Sequence, residues 1–179
     1  RGAHEYIEQL IASAHVMIVG LDAAGRVRVF NRAAESITGY SSDELSGIDW
    51  FERIVPKDRY PHVWEVFQEH QRATGAMPAT FENPILTKRG EERFVSWQNS
   101  TISSPGAEIS TISFGIDVTQ RKRVEGVLQA RLRLLEHAGS HSTDGLLTAA
   151  LDEIEALTGS TIGFYHFLAS DQHTLSLQS

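Results

Sequence analysis

Eight histidines and no cysteine bound the chemistry open to this chain. His4, His15, His62, His137, His141, His166 and His173 fall into none of the spacings, such as H-E-x-x-H, that set two imidazoles around a metal. His137 and His141 are four residues apart, but Gly139 between them breaks the helix that would align them. Without a thiol there is no disulfide, thiolate metal site, cysteine nucleophile or thiol–flavin adduct. No G-x-S-x-G, P-loop or G-x-G-x-x-G stands in a fitting strand-to-helix context. The stretches EERFVSW and KRVEGVLQAR are charged faces rather than acid–base pairs. No catalytic residue and no metal ligand is assigned, and the chain is not expected to be an enzyme. His70 lies within about 20° of Val63 on a helical wheel, so it points to the core side, where a buried imidazole serves as a ligand, a pH sensor or packing.

These residues need a scaffold. The 179 residues suffice for one ordinary domain and part of another. With 41% apolar residues a packed core is expected, and a net charge of −7 argues against nucleic-acid or anionic-membrane binding. No apolar run approaches the roughly 20 residues of a membrane helix, and no signal peptide is visible. The chain starts at Arg1 and stops inside a strand pattern, so it reads as an excised fragment.

Hydrophobic periodicity orders the elements. Glu5–Ala14 is helical, HVMIVGL is a buried strand, and DAAG turns it into RVRVFN. Asn31 caps a helix that Gly39 stops, SSDEL is a second capped turn, and DWFERIV is a short helical turn ended by Pro56. A longer helix follows, with Val63, Phe67 and His70 on one stripe. Three strands come next, Ala79–Thr87, Arg93–Ser103 and Ile109–Val118, with Asn83-Pro84 marking an edge or bulge. The expected class is α+β: five antiparallel strands in one sheet with helices on one face, then a long exit helix and a partial α+β unit.

The passage out of the last strand is the most specific feature. Asp117, Thr119 and Arg121 stand where strand becomes helix with no spacer. Thr119 is expected to cap the helix, and Asp117 to offset its basic first turn by pairing with a basic residue or accepting from Thr119. Val124, Val127, Leu128, Leu134 and Leu135 form an apolar stripe interrupted by Arg131, a short dimer seam or a face packed on its own domain.

LDAAGRVRVFNRAAESITGYSSDELSG, TKRGEERFVSWQNS and GIDVTQRKRVE together resemble a PAS domain, in order, over roughly 16–120. The tail from Ser142 resembles the start of a GAF domain. The organisation expected is a lead-in helix over 1–15, a PAS domain over 16–118, a linker helix over 119–139 and a partial GAF domain over 140–179.

This resemblance implies a cytoplasmic, homodimeric sensory or relay module. It would sit in a multidomain signalling protein upstream of a histidine kinase, a diguanylate cyclase or a similar effector. It also implies a ligand pocket between the concave sheet and the longer helix. The candidates there are Trp64, Phe67, His70, Phe81, Trp97, Asn99 and Phe114. The haem-binding branch carries its ligand histidine earlier on the helix, near Trp64, so haem is doubtful; a cysteinyl-flavin is excluded; no cofactor is required. The alternative is a ligand-free dimerisation spacer.

Overall fold

The computed structural model describes residues 16–72, 79–102, 108–139, 142–168 and 175–178. The lead-in helix expected over 1–15 lies outside them. Contacts divide the chain into two compact units, 1–119 and 120–179.

In the first unit β1 (Met17–Leu21) and β2 (Val27–Phe30) form the expected hairpin. Asp22 shapes the turn, its Oδ1 accepting from the Ala24 and Arg26 amides at 2.9 Å each. Asn31 then does more than cap α1 (Arg32–Thr38). Its Oδ1 accepts from Ala34 N at 3.0 Å and from Ile18 N at 2.9 Å, and its Nδ2 donates to the Val16 carbonyl at 2.9 Å. One carboxamide thus holds the helix start against β1. Gly39 ends α1 at φ 78°, a left-handed conformation that costs a side-chain-bearing residue about 1 kcal/mol.

Ser41 and Glu44 form a capping box on α2 (Ser42–Leu45), and Asp49 caps α3 (Trp50–Arg53). The longer helix, α4, spans Pro61–Arg72. It is followed by β3 (Thr80–Leu86), β4 (Glu92–Thr101) and β5 (Thr111–Asp117). The five strands make one antiparallel sheet in the order β2-β1-β5-β4-β3. Pro84, which cannot donate to a ladder, stands on the edge strand β3 as its position in the sequence suggested.

The core joins one face of this sheet to the helices: Met17, Val19 and Leu21 meet Trp50, Phe51, Ile54, Val63 and Phe67. Tyr60 lies at its margin, its hydroxyl donating to the Glu92 carboxylate. Burial, with the Glu92 carboxylate beside it, pushes the Tyr60 phenol up to about 12.

α5 spans Thr119–Ala138 and belongs to the second unit from Gln120 on, and α6 spans Thr143–Thr158, capped by Ser142 and stopped by Gly159. Gly126 of α5 faces Leu157 of α6: a Cβ there would lie 3.2 Å from Leu157 Cδ2. Arg133 on α5 pairs with Glu153 on α6. A two-stranded ladder follows, β6 (Tyr165–Leu168) against β7 (Leu175–Gln178).

Candidate functional site

The sheet register decides which side chains face the helices. Residues of a strand alternate between faces, and paired residues share one. Phe81 pairs with Trp97, Asn99 with Ser113, and Trp97 with Gly115. All five therefore share one face, together with Asn83. Between this face and α4 lies a cavity of about 40 Å³, room for about three water molecules. Phe81, Asn83, Trp97, Asn99 and Ser113 form its sheet side, with Val19 and Leu21 from β1; Trp50, Phe51, Val63 and Val66 close the other.

Polar groups stand on both sides of the Phe81–Trp97 pair, Asn99 and Ser113 on one and Asn83 on the other. Ser113 donates its hydroxyl to Asn99 Oδ1 at 2.7 Å. Asn83, 4% exposed, donates Nδ2 to the Pro84 carbonyl at 2.7 Å, and its Oδ1 accepts no hydrogen bond among the described residues. The remaining wall is apolar and aromatic. This composition suits a largely hydrophobic small molecule with one polar end.

The structure gathers Phe81, Trp97 and Asn99 at the cavity as expected, but not the other candidates. Phe114 pairs with Gln98, so it stands on the opposite sheet face, 39% exposed. Ser113, its neighbour, takes the inward place. Trp64 and Phe67 sit beside the cavity rather than on it. Phe67 is core, and Trp64 stacks on it at 5.8 Å, meets Phe51 edge-on at 5.0 Å and carries Lys57 Nζ 4.2 Å above its ring. One position off in α4 is enough to exchange Trp64 for Val63 as a lining residue. The side chain of His70 lies outside the described residues. Among the described residues no group of three or more His, Asp or Glu could hold a metal.

Trp97 connects this cavity to the end of the sheet. Its indole is 5% exposed, meets Trp50 edge-on at 6.0 Å and lies across Gly115 of β5. A Cβ at Gly115 would stand 2.5 Å from the Trp97 ring, so only glycine fits. Two residues later β5 ends, and a single residue, Val118, separates it from α5.

The capping there differs from expectation. Asp117 Oδ1 accepts from the Thr119 amide at 2.9 Å, so Asp117 rather than Thr119 caps α5. The Thr119 hydroxyl instead accepts from the Phe94 amide of β4 at 2.9 Å, and Val118 N donates to the Phe94 carbonyl at 2.8 Å. The basic partner of Asp117 is Arg93, Nη1 to Oδ2 at 3.4 Å. Arg121, expected at this junction, pairs with Glu125 one turn on, at 2.8 Å. The helix start is thus tied to two strands, with both threonine polar groups engaged.

Along α5 the expected stripe divides. Val124, Val127, Leu128 and Leu135 are 49–62% exposed, as is Leu132, which the sequence reading omitted; Leu134 is half-buried. Ala130 is the buried residue of this helix after Thr119.

The family model described as the PAS fold matches residues 5–118. The chain belongs to the PAS fold family. This PAS chain is 29% identical over 136 residues to the cyclic di-GMP phosphodiesterase PdeR of Escherichia coli K12, covering 75% of the chain but only 20% of that protein's length. The PAS domain of a Colwellia psychrerythraea protein superposes with a TM-score of 0.55 at 19% identity, covering 66% of this chain and 98% of that one. A sensory box histidine kinase/response regulator of Burkholderia thailandensis gives 0.55 at 21% identity, covering 73% and 98%. The PAS domain of the Cronobacter turicensis quorum-sensing receptor RpfR, in complex with C12:0, gives 0.51 at 25% identity, covering 61% and 99%. PAS domains are sensory signal-transduction modules, commonly dimeric and set within multidomain proteins. Among the described residues no helix is long and apolar enough to cross a membrane.

Proposed function

We propose that this chain senses a small, largely apolar molecule with one polar end and relays its presence through α5. The observation that carries the reading is the continuity from cavity to exit helix. Trp97 lines the cavity and leans on Gly115, and Gly115 stands two residues before the Asp117 cap. An occupant that displaces the indole strains or releases β5, and β5 passes the change to α5 without a hinge. Asn99 and Ser113 would meet the polar end; the C12:0 bound by the Cronobacter domain has the required character. Because the cavity holds only water-sized occupants as it stands, binding requires α4 or its aromatic neighbours to move.

In its parent protein the module acts in the cytoplasm as a homodimer, packed through the exposed side of α5, and drives an effector. Its relatives suggest a histidine kinase or an enzyme of cyclic di-GMP metabolism. The chain itself is no enzyme, and residues after Ser142 begin a GAF-type domain.

Calorimetric titration of the purified chain with C12:0 tests this, alongside its absorption spectrum for a retained haem or flavin. Saturable binding that Asn99→Leu weakens about tenfold supports the reading, since one lost polar contact is worth about 1.4 kcal/mol. The small cavity favours a second reading, a ligand-free spacer. No binding of C12:0 or of any member of a broad thermal-shift library, with a clean spectrum, would establish it instead.

A further inference from the structure

A second cleft, of about 250 Å³, lies between the C-terminal end of α1 and the turn joining β3 to β4. Ser36, Ile37, Thr87, Arg89, Glu91 and Arg93 are on its walls, and none of them lines the apolar cavity. Arg89 makes no hydrogen bond or ion pair among the described residues. Arg93 is only loosely engaged. Its Nη2 reaches Glu91 at 3.3 Å and its Nη1 reaches Asp117 at 3.4 Å, both longer than the roughly 2.7–2.9 Å of a well-formed charge-assisted bond. Of the five N–H groups of a guanidinium, about three are left over on Arg93, and about five on Arg89.

We infer that this cleft binds a small oxyanion, a dicarboxylate or a phosphate, which takes Arg89 and Arg93 together and draws Arg93 from Asp117. Two forked guanidinium groups suit planar or tetrahedral oxyanions. The C-terminal end of α1 opposes an anion by about half a charge and Glu91 and Asp117 by one each, which together at least balance the two guanidinium charges, so recognition rests on the N–H groups those guanidiniums leave over. The Ser36 hydroxyl, without a partner among the described residues, adds a neutral donor.

The consequence reaches the exit helix. Asp117 holds both Arg93 and the Thr119 amide, so an anion that removes its cation changes the charge on the cap of α5. Binding and capping are then linked in both directions. Replacing Asp117 by Asn keeps an acceptor for the Thr119 amide and removes the competitor for Arg93, so it tightens anion binding. This input enters through residues that do not line the apolar cavity and meets the cavity's own signal at the Asp117 cap.

The test is titration of the whole chain with malonate, and separately with inorganic phosphate, at ionic strength held constant with chloride, followed by calorimetry and by ¹⁵N amide shifts. The expected result is saturable binding with a Kd of about 1 mM, weakened about tenfold in Arg89→Gln and tightened about threefold in Asp117→Asn. A saturating shift of the Thr119 amide accompanies it. Malonate alone would assign the site to dicarboxylates; malonate and phosphate both, to oxyanions in general. A response to both probes that stays linear to about 50 mM overturns the site. Saturable binding that leaves the Thr119 amide unmoved, or an Asp117→Asn variant with unchanged affinity, overturns the link to α5.

Discussion

Gly115 is the residue on which the packing of the sheet most visibly turns. The Trp97 indole fills the space a side chain would need, and Val95 stands 2.8 Å from the same point. Gly115→Ala forces an overpacked core and is expected to destabilise the first unit by about 1–3 kcal/mol, read as a lower midpoint in urea with unchanged slope. Tyr60 makes a prediction of another kind. Its neutral phenol is favoured in the folded state because burial, and then the Glu92 carboxylate, oppose ionisation. The unfolded chain therefore loses this proton first, near pH 10, and the folded chain near pH 12. The contribution of Tyr60 is intact below about pH 10 and is lost as pH rises toward 12. Tyr60→Phe should flatten the decline in melting temperature between pH 9.5 and 11 to about half that of the parent; an unaltered slope would assign the decline to other groups.

At the scale of elements, the β5–α5 passage is held by hydrogen bonds that cross strands. Thr119→Val keeps the shape of the side chain but leaves the Phe94 amide of β4 without its acceptor. The expected loss is about 1–3 kcal/mol, with faster hydrogen exchange at Phe94 and in the first turn of α5 while the distant hairpin of β1 and β2 stays protected. Uniform acceleration across the sheet would mean that the bond stabilises the fold without fixing the helix. Most elements were legible because their ends are chemically marked: Asn31, Ser41 and Ser142 at helix starts, Gly39 and Gly159 at stops. The extent of α5 was legible from Thr119 and Gly139, although its cap is Asp117. Orientation across the sheet was harder. Ile112, Phe114 and Ile116 alternate with Ser113 and Gly115, a pattern that places the large residues inward when β5 is read alone. The small residues face inward instead because Trp97 on β4 already occupies that layer, a fact held by the pairing and invisible in either strand singly. The inward roles of Asn83 and Ser113 escaped notice for that reason, and those of Trp50 and Phe51 because short helical turns give no period to read.

For the whole molecule, the two units offer different surfaces. The first buries most of its large side chains between sheet and helices, with Ile102, Phe114 and Ile116 the exposed ones among its described residues, whereas α5 leaves Val124, Val127, Leu128, Leu132 and Leu135 substantially in water. The proposed homodimer predicts that Leu128→Glu shifts the chain from dimer to monomer in light scattering at micromolar concentration, while the urea midpoint of the first unit, followed by Trp50 and Trp97 fluorescence, moves by less than about 0.5 kcal/mol in equivalent stability. A monomeric parent chain, or a variant that remains dimeric, would place the contact elsewhere.

The bond from Phe94 to the Thr119 hydroxyl also fixes where one globule ends for anyone building chimeras. A fusion point chosen at the visible end of the sheet, after Asp117, would discard a residue on which β4 depends. Grafts onto a foreign output must carry Val118 and Thr119 with the donor, and the recipient's own sequence can begin only beyond them.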